Sequence, residues 1–172
     1  MNITIEENIE LGKLTTMKIG GRAQYFTKIK SVEQLVPAFE WVNGQGLPYL
    51  ILSGGSNTIF DDGIFKGLVM FIDIKGFKVV EETQDTTTIK VGAGEDWDEL
   101  VAKTVDMGLA GMEALSGIPG KTGATPYQNI GAYGQEVKDT IESVEVFDTA
   151  DNQIKLLTNQ ECQFGYRDSI FK

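Results

Sequence analysis

The sequence predicts an α+β chain of two lobes, a small β-α-β unit over residues 1–73 and a larger, strand-rich unit over residues 74–172. Three observations predict it. A strand pattern, a capped amphipathic helix and a continuous apolar run follow one another from Ala23 to Ser53. Beyond residue 73, strand patterns dominate and only one further helix is evident. Between that helix and the last strands lies "GIPGKTGATPYQNIGAYG", residues 117–134, with five glycines, two prolines and no acidic residue. No helix or strand interior tolerates so much glycine.

In chain order, "AQYFTKIK" (Ala23 to Lys30) reads as a strand. "SVEQLVPAFEWVNGQG" reads as a helix, with Ser31 and Gln34 as a capping box. Val32, Leu35, Val36, Phe39 and Val42 form its apolar face, and Gly44 or Gly46 ends it. Pro37 falls near the first turn, where it costs least. "YLILS" is an apolar run of strand length, expected to be buried on both faces, and the β-α-β order implies parallel pairing. "GLVMFID", "FKVVEE" and "TTTIKVGAG" read as successive strands. "DWDELVAKTVDMG" is the second helix, capped by Asp96 with Glu99 completing the box, and Trp97, Leu100, Val101 and Val105 share its apolar face. "IESVEVFDT" and "NQIKLLT" form a hairpin around Ala150-Asp151-Asn152, and "TNQEC" is a short capped helical turn.

Composition narrows the chemistry. The chain has 25 Asp and Glu against 15 Lys and Arg, a net charge of −10. No basic field is available to displace counterions from phosphates, so no nucleic-acid partner is expected. The sequence contains no histidine, which removes the usual general base, the histidine-based triad and the commonest zinc ligand. Cys162 is the single cysteine, so an internal disulfide is excluded, a metal site is not expected, and a reducing cytoplasm fits. No apolar run approaches the roughly 18 residues of a membrane span. The acidic start "MNITIEENIELGK" has no apolar core of a signal peptide. A cytoplasmic location is the expectation.

Two glycine-rich segments and one arginine are the candidate site. "ILSGGSNTIF" puts Gly54, Gly55, Ser56 and Asn57 just after a strand. Consecutive N–H groups there can form a concave anion site, and they can equally form a plain turn. The spacing is neither that of a P-loop nor that of a Rossmann turn. In the 117–134 stretch the glycines permit close approach of backbone to a ligand. Thr122, Thr125 and Asn129 offer hydrogen bonds, and Ile118 and Ile130 an apolar wall. A covering loop would need the same composition. In "FGYRDSIFK", Arg167 either pairs with Asp168 at the surface or grips a carboxylate or enolate oxygen in bidentate fashion. Arg22 in "IGGRAQYF" reads as structural, and Cys162 as a small buried residue.

Taken together, "KIGGRAQYF", "ILSGGSNTIF", "GIPGKTGATPYQNIGAYG" and "FGYRDSIFK" resemble the UDP-N-acetylenolpyruvoylglucosamine reductase family, flavoenzymes of bacterial cell-wall precursor synthesis. The resemblance runs from about Thr15 to Lys172. It implies a two-lobed FAD-binding fold of the vanillyl-alcohol-oxidase/PCMH type. It also implies an oxidoreductase that uses NADPH to reduce FAD and then reduces the enolpyruvyl group of UDP-N-acetylglucosamine enolpyruvate. Carried over residue by residue, it makes Ser53, Gly54, Gly55, Ser56, Asn57 and Thr58 the turn that receives the pyrophosphate. Gly117, Ile118, Pro119, Gly120, Thr122, Gly123, Ala124, Asn129, Gly131 and Ala132 then line the rest of the cofactor. Arg167 matches the catalytic arginine, and Tyr133 faces the substrate. A non-catalytic flavin- or nucleotide-binding module of the same fold is the alternative, and an FAD-dependent oxidase of small alcohols or sugars a third reading.

The family pattern continues into a substrate-binding domain that supplies a serine and a glutamate, and the chain stops at Lys172 before either. The sequence is therefore expected to be a fragment with an incomplete second lobe. Such a lobe would expose apolar surface and an unpaired edge open to self-association.

Overall fold

The computed structural model describes residues 3–172, and these divide into two compact units, the first ending at Lys75 and the second running from Gly76 to Lys172. In the first unit β1 (Glu6–Glu10), β2 (Arg22–Ile29), α1 (Leu35–Gly44), β3 (Tyr49–Leu52) and β4 (Ile64–Ile72) follow in sequence. The strands build one sheet in the order β1-β2-β4-β3. β1 runs antiparallel to β2, while β2 and β3 both run parallel to β4. The helix connects two parallel strands, as the β-α-β order implies, but they are not neighbours, because β4 inserts between them.

That insertion corrects the expectation for "YLILS". β3 is an edge strand, with Tyr49 42% and Ile51 48% exposed. The strand buried on both faces is β4, where Leu68, Val69 and Met70 have no exposed surface. Val69 joins Leu11, Ala23, Phe26 and Leu52 in one cluster. α1 lies over the other face, where Phe39 meets Tyr49 edge-on at 5.0 Å and Trp41 meets Tyr25 at 5.1 Å. Its buried side chains are Leu35, Ala38, Phe39 and Val42.

The expected capping box does not form. Residues Val32–Gln34 make a 3-10 turn before α1, and the Gln34 carboxamide accepts from the Lys30 N–H at 2.7 Å. The Ser31 hydroxyl instead bonds to Glu33 and, as the largest cause, lowers that carboxyl's pKa. Gly46, at φ +64°, ends the helix as expected of a glycine C-cap. β1 was not legible in the acidic N-terminus. It is tied down by Arg22, whose guanidinium donates to the Asn8 carbonyl at 2.8 and 3.0 Å and to Glu10 at 3.3 Å. Arg22 is structural, as its sequence context suggested.

The second unit carries β5 (Phe77–Glu82) and β6 (Thr87–Val91) as an antiparallel pair, then α2 (Trp97–Asp106). The short pair β7 (Gly131–Ala132) and β8 (Gln135–Glu136) follows, and then the hairpin of β9 (Ser143–Asp148) and β10 (Gln153–Thr158). Asp96 caps α2 by accepting from the N–H groups of Asp98 and Glu99, so Glu99 contributes its N–H to the cap. The buried face is Trp97, Leu100, Val101 and Thr104. Val105, expected on that face, is 49% exposed. One core joins Trp97, Leu100 and Val101 to Leu115, Ile130 and Val137. The glycine-rich stretch is thus stitched into the core of its unit by its own apolar residues. "TNQEC" is a turn, closed by Thr158 donating through N–H and hydroxyl to Glu161 at 2.8 and 2.7 Å, and Cys162 is fully buried on it.

Candidate functional site

In the first unit the candidate residues follow β3. Gly55 takes φ +63°, and a Cβ there would lie 2.4 Å from the Leu14 carbonyl oxygen. Only glycine permits that approach. The Gly55 carbonyl in turn accepts from the Thr16 N–H at 3.2 Å, so the turn is braced against the Leu14–Thr16 segment. Among the described residues, the N–H groups of Gly54 and Asn57 donate to no backbone carbonyl. The Ser53 hydroxyl is buried with no hydrogen-bond partner among them. A buried hydroxyl without a partner is costly, and an anion bound at the turn would satisfy it.

In the second unit the 117–134 stretch is ordered by long-range hydrogen bonds. Gly117, at φ +75°, donates its N–H to Asp98 at 2.6 Å, and the Ser116 hydroxyl donates to the same oxygen at 2.7 Å. These two donors, the N–H first, hold the Asp98 carboxyl below its usual pKa against a small opposing effect of burial. The Gly120 carbonyl accepts from the Trp97 N–H at 3.2 Å. Thr122 donates its N–H to the Glu95 carbonyl at 2.9 Å and its hydroxyl at 3.3 Å. Gly123 donates to the Ala93 carbonyl at 2.9 Å, and a Cβ on Gly123 would lie 2.5 Å from that of Ala93. Ile118 is half-buried against the α2 core, Pro119 is exposed and Ala124 half-buried. Ile130 is core rather than the apolar wall of a ligand site, since it is 5% exposed and packs with Trp97 and Val137.

Thr125 and Asn129, read from the sequence as hydrogen-bonding groups for a ligand, are turned inward. The Thr125 hydroxyl donates to the Thr122 carbonyl at 2.9 Å. Asn129 has no exposed surface. Its Nδ2 donates to the Gly165 carbonyl at 2.8 Å, and its Oδ1 accepts from the Lys138 N–H at 3.1 Å. Its backbone is left-handed at φ 44°. Gly131 and Ala132 form β7, and Tyr133 (φ 52°) and Gly134 (φ 83°) turn the chain into β8. The Tyr133 side chain is 94% exposed at that tip.

Arg167 sits on a second tight turn. Gly165 and Asp168 bridge antiparallel, with N–H to carbonyl distances of 2.9 and 3.3 Å. Tyr166, 87% exposed, and Arg167, at φ 53°, are left at the tip. A non-glycine residue in that region costs about 1–2 kcal/mol. The side chain of Arg167 is exposed, and among the described residues it forms no ion pair. The surface pair with Asp168 that its sequence context allowed is not made. The turn is held by Asn129 at Gly165, by the Ser169 hydroxyl donating to the Tyr127 carbonyl at 2.7 Å, and by the Ile170 N–H donating to the Cys162 carbonyl at 3.0 Å. Sequence reasoning named the glycine-rich stretch and Arg167 but missed the groups that order them, Asp98 and the Ala93–Glu95 loop for the stretch and Ser169 for the turn that carries Arg167. Each acts through long-range hydrogen bonds that leave no local pattern.

No group of His, Cys, Asp or Glu able to hold a metal occurs among the described residues, and no helix among them is long and apolar enough to cross a membrane.

The FAD binding domain family model matches residues 23–157. UDP-N-acetylenolpyruvoylglucosamine reductase of Thermobifida fusca is 42% identical over 172 residues, which is 100% of this chain and 48% of that protein. The reductase of Salinispora arenicola is 46% identical over 162 residues, 94% of this chain and 45% of that protein. The chain therefore spans about half the length of these relatives. The crystal structure of UDP-N-acetylenolpyruvylglucosamine reductase (MurB) from Thermus caldophilus superposes with a TM-score of 0.74 at 29% identity. It covers 98% of this chain and 57% of that one. 6-Hydroxy-D-nicotine oxidase from Arthrobacter nicotinovorans shares the fold at a TM-score of 0.62 and 17% identity, over 94% of this chain and 37% of its own. The glycine-rich turn after β3, the second stretch bound to α2 and the whole-length likeness converge: the chain belongs to the FAD binding domain family and is similar throughout to the UDP-N-acetylenolpyruvoylglucosamine reductases.

Proposed function

We propose that this chain is the FAD-binding part of a UDP-N-acetylmuramate dehydrogenase of peptidoglycan precursor synthesis, cytoplasmic, with NADPH as reductant and UDP-N-acetylglucosamine enolpyruvate as substrate. When bound, FAD supplies the hydride chemistry that links NADPH to the enolpyruvyl double bond. The residues present fit that cofactor. The unpartnered Ser53 hydroxyl and the N–H groups of Gly54 and Asn57 are donors suited to a pyrophosphate, with Ser56 and Thr58 beside them. Gly117, exposed and with no atom within 4 Å of where a Cβ would be, leaves the backbone of the second stretch open to a flat ligand.

The observation that carries the reading is Arg167. An exposed guanidinium on a left-handed turn, with no ion pair among the described residues in a chain of net charge −10, is a cation kept free for an anionic ligand. Its five N–H donors match a carboxylate in bidentate fashion. In the reaction it would stabilise the enolate-like charge that builds on the substrate carboxylate. Tyr133, at the exposed tip between β7 and β8, is the accompanying substrate contact in this proposal.

The first test is the visible absorbance of the desalted chain after incubation with FAD, where a retained flavin band is expected. The second uses the full-length gene product. Arg167→Ala should keep the flavin and its reduction by NADPH, yet slow enolpyruvyl reduction on the order of 10²- to 10³-fold. An Arg167→Ala protein with unaltered turnover would sink the assignment.

A further inference from the structure

The fully buried amide of Asn129 bridges two segments that the sequence separates. Its Nδ2 reaches the Gly165 carbonyl, 36 residues away, and its Oδ1 takes the Lys138 N–H. Gly165 is the first residue of the turn that carries Arg167. We propose that Asn129 is a positioning residue for Arg167: its amide latches the Gly165–Asp168 turn onto the glycine-rich stretch and so sets where the guanidinium is presented. This rests on the reading of Arg167 given above.

Three features support the latch over a side chain that merely satisfies its own burial. First, Arg167 is in the left-handed region at φ 53°, which is costly for a residue other than glycine, asparagine or aspartate. Such conformations persist only where surrounding contacts impose them, and the Asn129–Gly165 bond is a contact common to the two segments. Second, the Asn129 donor is aimed at the turn itself. The oxygen is satisfied within the neighbouring segment by the Lys138 N–H, and the donor reaches out to Gly165. Third, the latch is one of a pair. The Ser169 hydroxyl donates back to the Tyr127 carbonyl at 2.7 Å, so one strand of the turn is gripped on each side of Arg167 by the same short segment, Tyr127 to Asn129. Arg167 itself is left with a carbonyl held by the Lys172 amine at 3.0 Å and a guanidinium that is exposed.

The test uses Asn129→Asp, which keeps the shape and the acceptor for Lys138 but sets an oxygen against the Gly165 carbonyl. Asn129→Gly serves as the second variant, since it accepts the left-handed backbone without strain and removes the amide. Hydrogen exchange is measured across the second unit, together with flavin retention and, in the full-length gene product, the rate of enolpyruvyl reduction. The expected result is faster exchange of the Asp168 and Ile170 N–H groups, on the order of tenfold, with α2 and the β9–β10 hairpin unchanged and flavin retained. The rate should fall on the order of tenfold or more, and Asn129→Asp should cost nothing further in an Arg167→Ala background. Unchanged exchange at residues 165–170 overturns the proposal. So does loosening spread through the whole unit with flavin lost, which would make Asn129 a fold-holding residue. An additive loss in the double variant overturns it as well. Local loosening in a protein whose turnover ignores Arg167→Ala would uphold the latch and overturn only the role given to Arg167.

Discussion

Gly123 shows how one glycine can be required by the chain itself. Its missing Cβ is where the Ala93 methyl sits, 2.5 Å away, and its N–H is bonded to the Ala93 carbonyl. Gly131 is similar, since a Cβ there would lie 2.9 Å from the Gln135 carbonyl. Gly117 and Gly134 are different, with open space around them and positive φ. The stretch therefore contains glycines of two kinds, and composition could not separate them. Gly123→Ala must push back the Ala93 loop, and we expect a loss of about 1–3 kcal/mol, read as a lower urea midpoint at constant slope. A midpoint equal to that of the parent chain would mean the loop gives way freely. At the same scale, Arg167 was legible from "FGYRDSIFK", but its freedom from Asp168 was not. The turn that carries the two side chains is braced by bonds to segments outside it, at Asn129, Tyr127 and Cys162.

Among the elements, α2 was the most legible. Its cap, its start and three of its four buried side chains follow from local periodicity and capping chemistry. The fourth is Thr104 rather than Val105, and the Thr104 hydroxyl is satisfied by the Val101 carbonyl at 2.8 Å. The first turn of α2 also anchors the glycine-rich stretch through Asp98, and that link is titratable. Because the donors of Gly117 and Ser116 lower the Asp98 pKa, the folded form binds a proton less readily than the unfolded chain. The contribution is thus complete above the usual aspartate range and is lost as the pH falls through the depressed pKa. The stability difference between the parent chain and Asp98→Asn should be greatest near neutral pH and should shrink in acid denaturation series. A difference that stays constant with pH would show that the charge is irrelevant. β3 was legible as a strand, but its place in the sheet was not. An apolar run signals burial, but which strand occupies the sheet centre is settled by pairing order, and β4 takes that place.

For the whole molecule, FAD binding to the folded chain alone must raise its apparent stability by mass action. At a free concentration one hundred times Kd the gain is about 2.7 kcal/mol, which for a chain of this size corresponds to a rise in Tm of roughly 5–10 °C. Thermal unfolding followed by circular dichroism with and without FAD measures it, and a Tm indifferent to FAD would count against the cofactor assignment. By itself, the sequence determined the α+β class, both helices, most strands, the absence of histidine chemistry, and the segments that carry the family likeness. Those features are written in local periodicity, turn residues and composition, which act over a few residues. Tertiary structure alone decided the central place of β4, the inward turn of Thr125 and Asn129, and the presentation of Arg167. Each of these depends on which distant segment supplies the hydrogen-bond partner or covers the apolar face, and no local pattern encodes that choice.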